Sequence, residues 1–271
     1  MLDFINGNKF SDIADFVIDF DHNDLNTNLY KQNCIIFCKT DFLDFLFGFI
    51  KFSKRKYILI SHLSDYPIDE YRFKKAPSSI VKWYAQNAIY DNERLISIPI
   101  GLENHVGKSK GKFTDHDWFV NNVYYLQKIN KDDSIYCNWN PNTNREIRQP
   151  IIEKLRKNCL NLQIEHNLSF QEYCKNMARH KFVICPPGNG LDTHRLWESL
   201  YLGCYPITLN NRIYKDFMLP ILQINDWSEV TQELLNIHYI KYKDEISFDE
   251  LLMKYWINKI KNDFNSLCVI K

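Results

Sequence analysis

Residues Lys181 to Asn211, KFVICPPGNGLDTHRLWESLYLGCYPITLNN, constrain the fold more than any other stretch of the chain. Phe182 to Cys185 is a short apolar run of strand length. Pro186, Pro187, Gly188, Asn189 and Gly190 cannot continue it, because proline lacks an amide donor and glycine favours turns. Asp192 or Thr193 is placed to cap a helix that runs to about Leu202, and Gly203 closes it. Tyr205 to Leu209 reads as the next strand. A loop at the carboxyl end of a strand, opening onto a helix N-terminus, is where α/β proteins hold phosphates, since free amides and the positive helix end face the ligand. Arg195, in the first turn, adds a fork that fits a diphosphate. Glu198, one turn on, shares a face with Arg195 and His194.

The same alternation runs through the chain and sets the class as α/β. Strand patterns fall at Asn33 to Cys38, Tyr57 to Ser61, Leu95 to Ile100, Ser134 to Trp139 and Leu160 to Glu165. Asp41 to Phe52 has a helical pattern, whereas Ile80 to Tyr90 is apolar with mixed periodicity and stays unassigned. A polar gap from Glu103 to Asp117 reads as a long surface loop. Ser169 to Glu172 is a capping box opening a helix to about Arg179, and Ser247 to Glu250 is a second one before a long helix, Leu251 to about Phe264. Asp226-Trp227-Ser228 precedes a further helix, with Asp226 either its cap or a group on the nucleotide side. The boundary falls near Lys128 to Asp133, giving domains at 1–130 and 131–249, with 250–271 as a closing helix.

Composition narrows the function. With 271 residues, 45% hydrophobic and 15% aromatic, the chain can bury one large core or two ordinary ones. A net charge of +1 with no basic stripe argues against a nucleic-acid partner. The longest apolar stretch, near Phe42 to Ile50, is interrupted by Asp44 and falls short of the roughly 20 residues a membrane helix needs. The opening MLDFINGNKF has no secretory pattern, so a cytoplasmic protein without a transmembrane segment is expected. The eight cysteines lack metal spacing and read as reduced, mostly buried thiols.

The segment FVICPPGNGLDTHRLWESLYLGCYPI resembles the exostosin-like glycosyltransferases, glycosyltransferase family 47 and its relatives. These carry Ser/Cys-Pro-x-Gly-Asn-Gly-x-Asp, then His-Arg-x-Trp-Glu, then an apolar helix ending Gly-x-x-Pro-Ile, and each piece is present here. YILISHLSDY and the stretch ending IPIGLEN are more loosely similar to first-domain segments of small members. The resemblance implies a GT-B fold, two Rossmann-like domains facing a central cleft. The first would bind the acceptor and the second the nucleotide sugar, with the C-terminal helix packing back on the first. It also implies inverting, metal-independent transfer with no cofactor, from a UDP-sugar donor, xylose first among the sugars, to a hydroxyl of a glycan or glycoprotein.

On that pattern Glu198 binds the ribose hydroxyls and Arg195 neutralises the diphosphate leaving group. Gly188, Asn189 and Gly190 let the backbone approach the phosphates, with Asp192 closing the same loop and His194 donating to a phosphate or capping the turn. The loop carrying Arg145 and Arg148, in NPNTNREIR after the Ser134 strand, would face the same cleft, so that one of the two also touches the diphosphate. The base that deprotonates the acceptor is sought on first-domain loops, at Asp65 first, then His62, Asp41 or Glu103. Each of these also reads as a plain turn, cap or surface residue. Two rivals stand beside this reading. One is a non-catalytic glycan- or nucleotide-binding subunit that kept the fold. The other is a metal-dependent GT-A transferase using Asp19 and Asp21 as an Asp-x-Asp pair, although only 18 residues precede that pair.

Overall fold

The computed structural model describes residues 3–103, 115–243 and 248–269. It contains two parallel five-stranded sheets. The first is built from β1 (Phe16–Ile18), β2 (Cys34–Lys39), β3 (Tyr57–His62), β4 (Ile80–Ala85) and β5 (Leu95–Ser97). The second comprises β6 (Asp132–Cys137), β7 (Leu162–Ile164), β8 (His180–Ile184), β9 (Tyr205–Leu209) and β10 (Leu222–Ile224). Among the described residues ten α-helices surround them: α1 (Gly7–Ser11), α2 (Leu43–Ile50), α3 (Glu70–Lys75), α4 (Asp115–Leu126), α5 (Arg145–Arg148), α6 (Ile151–Arg156), α7 (Phe170–Met177), α8 (His194–Tyr201), α9 (Gln232–Tyr242) and α10 (Met253–Val269).

The strand orders differ in a way that places the ligand region. The first sheet runs β1-β2-β3-β4-β5, in chain order and without reversal. The second runs β10-β9-β8-β6-β7, so the direction of winding reverses between β6 and β8. In open parallel sheets, ligands settle in the crevice outside the strand carboxyl ends at such a reversal. The loops leaving β6 and β8 flank that crevice.

Side-chain alternation explains the layers. In β2, Ile35 and Phe37 enter one buried cluster while Cys34, Ile36 and Cys38 enter another. In β3, Ile58 and Ile60 join the first cluster and Tyr57 and Leu59 the second. The second sheet repeats the pattern, with Tyr136 and Val183 on one face and Ile135, Phe182 and Ile184 on the other. The largest cluster is continuous across both sheets and takes in Phe119 of α4, Trp197 of α8 and Trp256 of α10. The α4 helix, which the sequence left unassigned, packs on α7 beside the second sheet. The α10 helix reaches the first sheet, where the Tyr84 hydroxyl donates to Asp263 at 2.6 Å.

Several local expectations meet their structure directly. The Ser169–Glu172 capping box is formed at α7. Gly203 ends α8 at φ +70°, the left-handed conformation glycine adopts without strain. The apolar run from Ile80 resolves into β4 and a following turn in which Asn87 takes φ +56°. The Asp226 side chain accepts from Ser228 N–H and also pairs with Lys154, so it caps a short turn before α9. In the second capping box, Ser247 lies outside the described residues, and Glu250 accepts from Met218 N–H at 2.7 Å. Residues 104–114 of the polar gap also lie outside them, while its last residues begin α4. Among the described cysteines none is paired, and Cys159 alone is exposed. Among the described residues no helix is long and apolar enough to cross a membrane.

Candidate functional site

The carboxyl ends of both sheets meet around two adjoining cavities. One, of about 510 Å³, is lined by Lys39, Asp41, His62, Leu63, Ser64, Asp65, Tyr66, Gln86, Ile100, Glu103 and His194. The other, of about 430 Å³, is lined by Glu103, Asn138, Arg148, Leu168, Phe170, Tyr173, Thr193, His194, Arg195 and Glu198. Glu103 and His194 are common to both. The first cavity belongs to loops after β2, β3, β4 and β5; the second belongs to the reversal between β6 and β8, together with α7 and α8.

In the second cavity the helical spacing places His194, Arg195 and Glu198 together, as the sequence predicts. Glu198 is 6% exposed, and one carboxylate oxygen accepts from the Tyr173 hydroxyl at 2.8 Å. Burial holds its carboxyl above the usual range, opposed by His194, the Tyr173 hydrogen bond and Arg195. Burial and the neighbouring Glu198 charge raise the Tyr173 phenol well above its ordinary value, so it stays a donor. Arg195 lies 5.9 Å from the centroid of the Tyr173 ring. Its buried Nε has no hydrogen-bond partner among the described residues, and neither has the buried Thr193 Oγ1. Both residues line the second cavity. Thr193 was legible only as a cap; it holds the cap position, but its side chain makes no capping bond.

Arg148 and the glycines turn out to serve the loop itself. The guanidinium of Arg148 donates to the carbonyls of Pro187 at 2.8 Å, Asn140 at 3.0 Å and Pro186 at 3.2 Å. A Cβ on Gly188 would lie 3.0 Å from that guanidinium. A Cβ on Gly190 would lie 2.9 Å from an Asp65 carboxylate oxygen and 3.4 Å from Asn87 Nδ2. The close approach these glycines permit is therefore to Arg148 and to the first sheet, and the open cavity wall begins at Thr193. Asn189 is exposed and lines neither cavity. Arg145 is also exposed, donates to Asn142 at 3.0 Å and lies off both cavities. Burial, and then the charge of Arg195, pull Arg148 down to about 10, and the two guanidiniums share the second cavity with the carboxylates of Glu198 and Glu103.

Asp192 is bound on all sides by protein donors. It is 3% exposed and accepts from Ile100 N–H at 2.8 Å, Trp197 Nε1 at 2.9 Å, Tyr214 Oη at 3.1 Å and Thr193 N–H at 2.9 Å. Its own amide donates to Asn87 Oδ1 at 2.9 Å. An acceptor surrounded by protein donors in this way stitches the two sheets together and lines neither cavity. Asn87 is its counterpart on the first sheet, and no spacing in the sequence announces that pairing.

In the first cavity the four base candidates come together but differ in state. Asp41 is ion-paired with Lys39. Partial burial works against its ionised form, yet hydrogen bonds from Lys39 and Ser64 hold it below the usual carboxylate range. His62 is 1% exposed and donates through Nε2 to the Pro99 carbonyl at 3.0 Å. Burial pushes it down to about 4, which keeps the ring neutral and makes it a poor proton acceptor. Asp65 is exposed and faces Gly190 across the seam, after Leu63 at φ +62°, a left-handed conformation that costs a leucine some strain. Gln86 Oε1 accepts from the Leu63 N–H at 3.0 Å and helps hold that turn. Glu103 is exposed at the wall common to both cavities.

His194 sits where the cavities join. Its Nδ1 lies 2.8 Å from the Gly101 carbonyl oxygen. A carbonyl only accepts, so Nδ1 carries the proton and Nε2 of the neutral ring keeps a lone pair. The rival pair at the end of β1 is arranged differently. Asp19 accepts from the N–H groups of Asp21 and His22, each at 2.8 Å, and from the His22 ring at 3.0 Å, so it folds its own turn. No protein-family model matches the chain.

Proposed function

We propose that this chain is an inverting, metal-independent glycosyltransferase of GT-B type that moves a sugar from a UDP-sugar to a hydroxyl of a glycan. The observation that carries the proposal is the pair of cavities sharing one wall at His194 and Glu103. A transferase needs two ligands whose reacting atoms meet. One cavity here has groups suited to a nucleotide diphosphate, and the other has groups suited to a sugar. Glu198 would take the ribose hydroxyls, oriented by Tyr173. Arg195 and Thr193, with Arg148 behind them, would hold the diphosphate and stabilise its charge as the glycosidic bond breaks. Phe170 and Tyr173 offer apolar faces to a base or sugar. The acceptor would lie among Lys39, Asp41, Asp65 and Tyr66. The likeness of Phe182 to Ile207 to the exostosin-like enzymes supports the donor class, with xylose the first sugar to test.

Calorimetry with UDP tests the donor site. Glu198→Ala should weaken UDP binding about tenfold or more, the effect of losing a charged hydrogen-bonding partner, and Glu198→Gln, which still accepts from Tyr173, should weaken it while the melting temperature stays close to native. Unchanged affinity would remove Glu198 from the site. UDP release from UDP-xylose in the presence of EDTA, with a glycoside acceptor, tests the chemistry. Activity that vanishes with chelator would favour the Asp19/Asp21 reading, and UDP binding without turnover on any sugar donor would favour a non-catalytic subunit.

A further inference from the structure

Among the described residues lining the joined cavities, only Glu103 and His194 touch both. The group that takes the acceptor proton must lie at that junction, because the acceptor oxygen attacks the anomeric carbon there. Asp41 is committed to Lys39, and Asp65 lines the first cavity alone. Glu103 is exposed at that wall, whereas a base must be held in place against the acceptor hydroxyl. His194 is part-buried at the start of α8, and its ring is anchored through Nδ1 to Gly101. That anchor leaves Nε2 as the nitrogen with the lone pair.

Resting on the transferase reading above, we infer that His194 is the general base, taking the acceptor hydroxyl proton on Nε2. The balance is simple. The acceptor oxygen forms a bond to the anomeric carbon as its proton moves to Nε2. The bond from that carbon to the diphosphate oxygen breaks, and UDP leaves with the electron pair. The imidazolium then gives its proton to solvent. The charged and titratable groups around the ring are Glu198 one helical turn away, Asp192 before the helix, His62 from β3 and Arg195 on the same helix. Glu103 faces the ring from the loop after β5.

The test is His194→Asn, whose amide can still donate to Gly101 but has no basic nitrogen. The assay is UDP release from UDP-xylose, UDP-galactose, UDP-glucuronic acid and UDP-N-acetylglucosamine, with p-nitrophenyl glycosides as acceptors. Turnover should fall about 10²- to 10⁴-fold while UDP affinity stays within about threefold of native. His194→Ala should regain rate on addition of imidazole, which a purely structural role would not produce. Turnover within tenfold of native, an equal loss of UDP affinity, or a loss that appears only in Glu103→Gln overturns the assignment. If the native chain binds no UDP, the functional reading fails; if it binds UDP and His194→Asn still turns over, only the base assignment fails.

Discussion

At the scale of single residues, Gly101 bears on both stability and chemistry. It adopts φ +69°, and a Cβ there would lie 2.3 Å from the Ile5 carbonyl oxygen. That carbonyl accepts from the Leu102 amide at 2.8 Å, while the carbonyl of Gly101 holds the His194 ring. Gly101→Ala therefore meets a left-handed strain of about 1–2 kcal/mol and a backbone clash besides. Thermal unfolding should show a loss of at least about 2 kcal/mol. Gly48 is the internal comparison: it lies within α2, nothing stands within 4 Å of its would-be Cβ, and Gly48→Ala should be neutral or stabilising by up to about 1 kcal/mol. Equal melting temperatures for the two variants would contradict this account. The IPIGLEN stretch drew attention in the sequence for Glu103, yet the residue that anchors the His194 ring is the glycine two positions earlier.

At the scale of elements, the β8–loop–α8–β9 unit depends on Arg148, which reaches it from α5. Arg148 bridges three carbonyls of the two loops that flank the reversal. A lysine can donate from one point only and cannot reproduce the planar fork. Arg148→Lys should lower stability by roughly 1–3 kcal/mol, since buried carbonyls lose donors. Amide exchange should speed up in 185–192 and stay native-like in the first sheet; uniform exchange would argue against a loop clamp. The unit itself was readable from sequence because its punctuation is local: Pro186 and Pro187 end the strand, and Gly203 ends the helix. The α4 helix was not readable, because its polar pattern follows a long polar gap and its apolar residues Phe119, Val123 and Leu126 make sense only against α7 and α8. Strand order was equally hidden, since the chain-order run of the first sheet and the reversal in the second are set by pairing between distant segments. The same holds for the site: helical spacing gave His194, Arg195 and Glu198, but the Tyr173 contact comes from another helix.

At the scale of the whole molecule, Asp192 joins the sheets, and its ionisation gives that junction a pH signature. Burial raises its carboxyl to about 6, against hydrogen bonds from Ile100, Trp197 and Tyr214 and the nearby His194 that favour the charged form. In the unfolded chain an aspartate titrates near 3.9. Between these values the native state binds more protons than the unfolded state, so this group's contribution to stability rises as pH falls from about 6 to about 4. The gain is roughly 2–3 kcal/mol over that window. Carboxylates held below their usual range, such as Asp41, Glu165 and Asp226, act in the opposite sense, and their protonation destabilises the native state on acidification. Asp192 is therefore isolated by difference. Asp192→Asn removes the titration but leaves Asn Nδ2 facing protein donors, so it should be less stable than native at every pH. The gap in unfolding free energy between native and Asp192→Asn should widen as pH is lowered through the 6-to-4 window, because the native chain alone gains from proton uptake at this site. Urea unfolding of both chains at matched pH values measures that gap directly. A gap that stays constant or narrows would show that the four donors keep Asp192 an ordinary carboxylate, and that the seam between the sheets is insensitive to acid.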